Sequence, residues 1–176
     1  MKRLFSLLII IAVLLLTASC SGDKIDTSEL KTYELDGVKF SLPRYMRRTA
    51  TEGYDASFDN MMIFFMVKRV SDDMLETMGT AREDGAEKYL DALLKKSGLD
   101  KNEVFYENLE HRALKSFRYS YDASEGEGEK NNIFYYVILA GEGENFWYFE
   151  ICCPESVSSE NLGKFEDWRN SIILTK

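Results

Sequence analysis

Histidine, cysteine and proline are scarce in this sequence. It contains one histidine, His111, with three cysteines and two prolines in 176 residues. A single histidine excludes a metal site built on several histidines. A Cys–His nucleophile pair is not indicated, because nothing in the sequence brings a cysteine to His111. Glycine-rich phosphate motifs and a nucleophile elbow are also missing, and no cofactor is implied.

Three cysteines are too few for a domain held together by disulfides, so packing must stabilise the core. Cys152 and Cys153 are adjacent in a strand-like run, where neighbouring side chains point to opposite faces. We therefore predict two buried free thiols. A vicinal redox pair and an intermolecular disulfide are the alternatives.

The chain has no apolar run of membrane-spanning length. Leu4 to Leu16 gives 13 residues, about 20 Å of helix against a hydrocarbon core about 30 Å thick. Lys2 and Arg3 precede this run and small residues follow it, as in a secretory signal peptide. An uncleaved N-terminal anchor is the alternative interpretation.

Residues 16–20, Leu-Thr-Ala-Ser-Cys, resemble the lipobox of bacterial lipoproteins. The resemblance implies that the Cys20 thiol receives a diacylglycerol, that residues 1–19 are removed, and that the new amino group is acylated, with palmitate as the expected kind of chain. Thr17 stands where that family more often has leucine. Two or three acyl chains hold a protein stably on a bilayer. Ser21 is not the aspartate that signals inner-membrane retention in the lipoprotein family, which favours an outer membrane where the organism has one.

The mature chain is expected to be acidic. Removal of Lys2 and Arg3 with the signal changes the net charge from −8 to −10. Such a body is repelled by nucleic acid and by anionic lipid, so nucleic-acid binding is not expected and the acyl chains must provide the anchoring. We expect residues 20–29 to form a lipidated tether and residues 30–176 to form one globular domain.

Periodicity predicts an α+β domain with an antiparallel sheet of about six strands flanked by helices. Asp36-Gly37 is a hairpin-turn signal. The near-continuous apolar run at 61–70 predicts a strand covered on both faces. The predicted segments are a hairpin over 30–42, a polar loop over 49–60, a strand over 61–70, short and long helices over 72–78 and 81–97, strands over 103–109, 113–121, 133–140 and 146–153, and a helix over 158–174.

Three features are candidate sites. The basic cluster of Arg44, Tyr45, Arg47 and Arg48 suits lipid headgroups or an anionic ligand, or is a solvated loop. The acidic segment 122–132 does not have the spacing of a calcium-binding loop, so a hairpin tip is expected and no metal is predicted. A sheet face could bind a lipid or sugar through aromatic rings, unless a helix covers them. Its candidate rings are Tyr119, Tyr121, Tyr136 and Trp147.

The order of elements, the run LDGVKFSLP at 35–43 and the run FEDWRNSI at 165–172 resemble the PsbP/Mog-like superfamily over most of residues 30–174. The resemblance implies an antiparallel sheet between helices and an accessory or binding role without a shared catalytic set. Cystatin-like and NTF2-like folds are the alternatives. The expected function is a non-enzymatic, lipid-anchored envelope module for a protein partner or a small ligand. An envelope hydrolase using clustered carboxylates is the alternative.

Overall fold

The structure is a computed structural model that describes residues 29–99, 105–109, 114–122, 132–142 and 145–175. The predicted signal peptide, Cys20, the tether up to residue 28, His111 and the acidic segment 123–131 lie outside the described residues. No helix in the described ranges is both long and apolar enough to cross a bilayer.

Strands are the commonest element of the described residues, and helices occur in two places along the chain. The elements are β1 Leu30–Leu35, β2 Val38–Pro43, β3 Arg47–Thr49, β4 Ala56–Asp59, β5 Phe64–Arg69, α1 Asp72–Thr77, a 3-10 turn Arg82–Asp84, α2 Gly85–Ser97, β6 Phe105–Leu109, β7 Leu114–Asp122, β8 Asn132–Glu142, β9 Asn145–Pro154, α3 Glu155–Asn170 and β10 Ile173–Leu174.

The strands form two antiparallel sheets. The main sheet has seven strands in the order β3-β4-β5-β9-β8-β7-β6, and the small sheet has the order β1-β2-β10. The predicted hairpin forms around Gly37, which has a φ of +96° that favours glycine. The prediction of an α+β fold with an antiparallel sheet is confirmed, with seven strands in the main sheet where about six were expected.

Helices cover both faces of the main sheet. On one face, α3 and the small sheet bury one set of alternating residues, including Tyr136, Ile138 and Phe149. On the other face, α1 and α2 bury the intervening residues, including Val137 and Leu139. Two separate cores result, one on each side of β8 and β9.

Local capping explains where α1 begins and where α2 ends. The Ser71 hydroxyl accepts a hydrogen bond from the Met74 amide at 3.3 Å, as an N-cap residue should. Gly98 closes α2 in the left-handed conformation with φ of +71°. Both ends agree with the sequence prediction.

Three parts of the sequence prediction were wrong: the loop over 49–60, the strand over 61–70 and the end of the C-terminal helix. The expected polar loop over 49–60 contains β4, and β5 begins only at Phe64, because residues 60–63 form the turn between them. The predicted cover on both faces of this strand fails at its start, where Phe64 is 42% exposed. The C-terminal helix ends at Asn170, and Ile173 and Leu174 then pair with β2.

Candidate functional site

The helical cover on one face of the main sheet stops partway along the strands. Phe117, Val137, Leu139 and Phe146 are buried under α1 and α2. The next residues on the same face, two positions along each strand, are only half-buried. These residues and their neighbours form what we call the tyrosine face: Tyr54, Lys68, Tyr119, Tyr135, Tyr148, Glu150 and Cys152.

Glu150 is the polar centre of the tyrosine face. The Tyr148 hydroxyl donates a short hydrogen bond to Oε2 of Glu150, and Tyr54 lies near this carboxylate. Burial and the nearby Glu150 charge raise the pKa of Tyr148 and of Tyr54 above their ordinary value. Both hydroxyls therefore stay protonated and serve as hydrogen-bond donors at any physiological pH.

Lys68 lies between the rings of Tyr54 and Tyr148. Its Nζ is 5.1 Å from the ring centre of Tyr54 and 4.9 Å from that of Tyr148. Both distances are within the range of a cation–π interaction. The ammonium group therefore links Tyr54, in the segment before β4, to Tyr148 of β9. It also gives the face one positive charge beside the Glu150 carboxylate.

Stacked rings continue the face towards β7 and β8. The rings of Tyr119 and Tyr135 are 5.1 Å apart at an angle of 10°, and Phe117 stacks on Tyr119 at 5.7 Å and 20°. Burial, with a smaller effect of the Glu150 charge, raises the pKa of Tyr119 to about 12. These rings present flat apolar surface with hydroxyl groups attached.

The two adjacent cysteines are free thiols with side chains on opposite faces, as predicted, but only Cys153 is buried, whereas both were expected to be. Cys153 is buried in the core under α3, whereas Cys152 is half-buried on the tyrosine face. Burial, with smaller effects of Glu150 and Cys153, raises the pKa of Cys152 to about 12. The thiol therefore stays protonated, which is the opposite of what a nucleophilic cysteine needs.

The tyrosine face is equipped for binding. It offers stacked rings, hydroxyl donors and one carboxylate acceptor within a half-buried area. Among the described residues, no group of three or more His, Cys, Asp or Glu side chains is arranged to hold a metal ion.

The basic cluster predicted from the sequence shares one end of the body but not one groove. Arg44 and Arg48 line a groove of about 620 Å³ with Lys31, Tyr33 and Met46. Nη2 of Arg44 is 2.7 Å from Oε1 of Glu29. Tyr45 lines a different groove beside α3, and Arg47, next to Arg48 in β3, points to the opposite face.

The predicted aromatic face is only partly the one observed. Tyr136 and Trp147 are 0% and 3% exposed and belong to the core under α3. Tyr119 belongs to the tyrosine face, and the side chain of Tyr121 lies outside the described residues. The aromatic rings of the face that sequence reasoning missed are those of Tyr54, Tyr135 and Tyr148.

A period-two reading of β9 contained the signal for part of this face. Tyr148, Glu150 and Cys152 alternate with Phe149 and Ile151. The carboxylate of Glu150 therefore lies on the same side of the strand as Tyr148, while the other side is apolar. No sequence signal identified Tyr54, which reaches the face from the segment before β4.

Comparison with known proteins gives similarity in fold only. No family model matches the chain, and no curated protein matches it. The solution structure of the cyanobacterial PsbP protein CyanoP from Synechocystis is similar with a TM-score of 0.49 and 16% identity, over 89% of this chain and 97% of that one. LpqN of Mycobacterium tuberculosis, described as involved in cell envelope biogenesis, is similar with a TM-score of 0.41 and 8% identity, over the same shares. At these values neither protein's role transfers to this chain.

Proposed function

We propose that this protein is an exported lipoprotein, anchored by acyl chains on Cys20, whose body is a non-catalytic binding module of the cell envelope. The observation that carries the binding role is the tyrosine face. There, the Tyr148 hydroxyl donates to the Glu150 carboxylate beside stacked rings where the cover of α1 and α2 ends. The lipobox motif at 16–20 supports the anchor.

The chemistry of the tyrosine face suits a ligand with a flat apolar surface and hydrogen-bond donors. A saccharide ring or a segment of a partner protein has both properties. Tyrosine supplies large contact area with few rotatable bonds, which is why it is common in binding surfaces. The Glu150 carboxylate retains acceptor capacity beyond the bond from Tyr148, because a carboxylate offers about four lone-pair sites.

Among the described carboxylates, the clear pKa shifts are those of Asp84 and Glu155, and neither shift supports catalysis. A hydrolase working through carboxylates needs a general acid whose pKa is raised. The shifts at Asp84 and Glu155 go the other way: hydrogen bonds from Lys88 and the Ala81 amide lower the pKa of Asp84, and those from Asn132 and Ser120 lower the pKa of Glu155. No observation favours the hydrolase alternative, and we do not propose it.

The anchor is tested by mass spectrometry of the N-terminal peptide of the native protein. We expect a peptide that begins at Cys20 and carries diacylglycerol, in a protein that fractionates with membranes, and with the outer membrane where the organism has one. A Cys20→Ser variant should keep residues 1–19 and lose the lipid. An unmodified Cys20 thiol in the native protein would refute the anchor and leave the fold unaffected.

The binding role is tested by pulldown with the lipidated protein followed by mass spectrometry of captured proteins and glycans. A Tyr135→Ala variant and a Glu150→Gln variant should each lose the captured partner. A variant with Arg44, Arg47 and Arg48 changed to alanine should retain it and serves as the matched surface control. Loss with the arginine variant and retention with the tyrosine-face variants would move the site to the basic end of the body.

A further inference from the structure

Large exposed apolar side chains concentrate at one corner of the body. Among the described residues, five large hydrophobic side chains are exposed, and three of them are Leu30, Met61 and Met62. We call these three the Met61 corner. Phe64, the fourth, pairs with Cys152 and therefore lies on the side of the tyrosine face. Ile173, the fifth, pairs with Lys39 near the opposite end of β2, away from this corner.

The strand register brings the three residues to one end of the body. Leu30 begins β1 opposite Pro43, which ends β2, and the chain then turns into β3. Arg47 of β3 pairs with Asp59, which ends β4 directly before the turn at residues 60–63. Tyr45, in the turn between β2 and β3, lines a groove with Met62.

A rigid turn presents the two methionines. Oδ1 of Asn60 accepts hydrogen bonds from the amides of Met62 at 3.1 Å and Ile63 at 2.8 Å. Met61 has a φ of +73°, which is uncommon for a residue other than glycine or asparagine. Its side chain is nevertheless 87% exposed. The backbone strain is therefore accepted at a position where a large apolar side chain points into solvent.

Basic side chains surround the Met61 corner although the whole chain has a net charge of −8. Lys31, Arg44 and Arg48 line one groove, and Lys164 lines a second groove together with Met62. Two acidic groups at this corner have partners: Glu29 is ion-paired with Arg44, and Oδ1 of Asp59 accepts a hydrogen bond from the Met61 amide. Glu160 on α3 is exposed and lies four residues before Lys164. Exposed apolar residues with a basic rim match the headgroup region of an anionic bilayer.

The chain leading from Cys20 enters the body at the same corner. The described residues begin at Glu29, whose carbonyl accepts the Arg44 amide at 3.1 Å. Cys20 lies ten residues before Leu30 in the sequence, which an extended chain spans with at most about 36 Å. A lipid on Cys20 would therefore hold this corner within reach of the membrane surface.

We infer that the Met61 corner docks into the interface of a bilayer containing anionic phospholipid, and so fixes the orientation of the body on the membrane. This inference rests on the proposed lipid anchor. A corner contact also suits the charge distribution, because β7, which leads into the acidic segment 123–131, is three strands away from β5 in the sheet. The charge of the rim and the entry point of the tether favour a bilayer over a protein or a second copy of the chain.

Fluorescence quenching in vesicles tests the inference on the lipidated protein. Met61→Trp and Ile173→Trp variants each add one exposed tryptophan, at the corner and at the matched site away from it. The native Trp147 and Trp168 are 3% and 2% exposed and provide a background common to both variants. The vesicles are phosphatidylcholine with a minority of phosphatidylglycerol, with or without bromine-labelled acyl chains.

Docking predicts that brominated lipid removes most of the added emission of the Met61→Trp variant and little of that of the Ile173→Trp variant. Arg44→Glu and Arg48→Glu added to the Met61→Trp variant should reduce quenching to the level of the Ile173→Trp variant. Lys95→Glu and Lys96→Glu, two exposed charge reversals on α2, should not. Equal, weak quenching at both sites in protein that floats with the vesicles would overturn the docking inference and leave the anchor intact. Protein that does not float with the vesicles would overturn both. Weak quenching together with cross-linked dimers or a bound protein would assign the corner to that occupant and overturn the inference.

Discussion

The hydrogen bond from Tyr148 to Glu150 can be tested as the organising contact of the tyrosine face. Tyr148→Phe removes only the donor hydroxyl, and Glu150→Gln removes only the negative charge of the acceptor. Hydrogen bonds to charged groups contribute roughly 1.5–3 kcal/mol to stability. The half-buried Glu150 retains some contact with solvent. We therefore expect each variant to lose about 1–2 kcal/mol, with a coupling energy of about 1 kcal/mol between the two sites.

Urea denaturation of the wild type, both single variants and the double variant near neutral pH measures this coupling. The double variant should be more stable than the sum of the single effects predicts, because the second change removes an interaction already lost. Distant sites add to within about 0.5 kcal/mol, so a coupling energy below that value would refute the contact as a stabilising one.

A titration of tyrosine absorbance gives an independent readout on the same variants. Glu150→Gln should lower the pKa of Tyr119 from about 12, because the Glu150 charge helps to raise it. The pKa should remain above the ordinary 10.0, because burial is the largest cause of the shift. An unchanged tyrosine titration in the Glu150→Gln variant would contradict the electrostatic description of the face.

Three further predictions follow from the burial and contacts of individual side chains. Phe165→Ala, at a fully buried site, should cost about 3–5 kcal/mol of the free energy of unfolding, whereas Ile173→Ala should stay within about 0.5 kcal/mol. Both are measured by urea denaturation, and equal effects would be inconsistent with the packing described. Tyr136→Phe should cost roughly 1.5–3 kcal/mol, because its hydroxyl accepts a hydrogen bond from the guanidinium of Arg169, which is 5% exposed; a thermal midpoint equal to that of the wild type would argue against it. Folding raises the pKa of Cys152 from 9.0 to about 12, so the stability it contributes is complete below pH 9 and is lost as pH rises towards 12. Cys152→Ala should therefore flatten the fall in stability across this range, and a fall identical to that of the wild type would contradict the shift.

Alternation along single strands contains the signal for part of the tyrosine face but not for the rest of it. Tyr148 and Glu150 share a side of β9 for a reason visible in the sequence, since side chains two positions apart point the same way. Which side of the sheet a helix covers is not a property of one strand. The sequence grouped Tyr119 with Tyr136 and Trp147, but the structure places the latter two under α3.

The basic cluster shows the same limit. Arg44, Arg47 and Arg48 are close in the sequence, and proximity suggested one patch. Adjacent residues of β3 point to opposite faces, so Arg47 is separated from the groove that Arg48 lines with Lys31. Lys31 joins that groove only because β1 pairs with β2.

The sequence by itself determined the fold class, the helix ends at Ser71 and Gly98 and the opposite orientation of Cys152 and Cys153, because each of these follows from local periodicity, capping or backbone conformation. It also contains the motif that predicts lipidation of Cys20. Only the tertiary structure decided which rings lie outside the helical cover, that Tyr54 lies near Glu150, and that Leu30 lies at the same end of the body as the Met61 turn. Those pairings join residues far apart in the chain, and they depend on strand order and helix packing rather than on any local pattern.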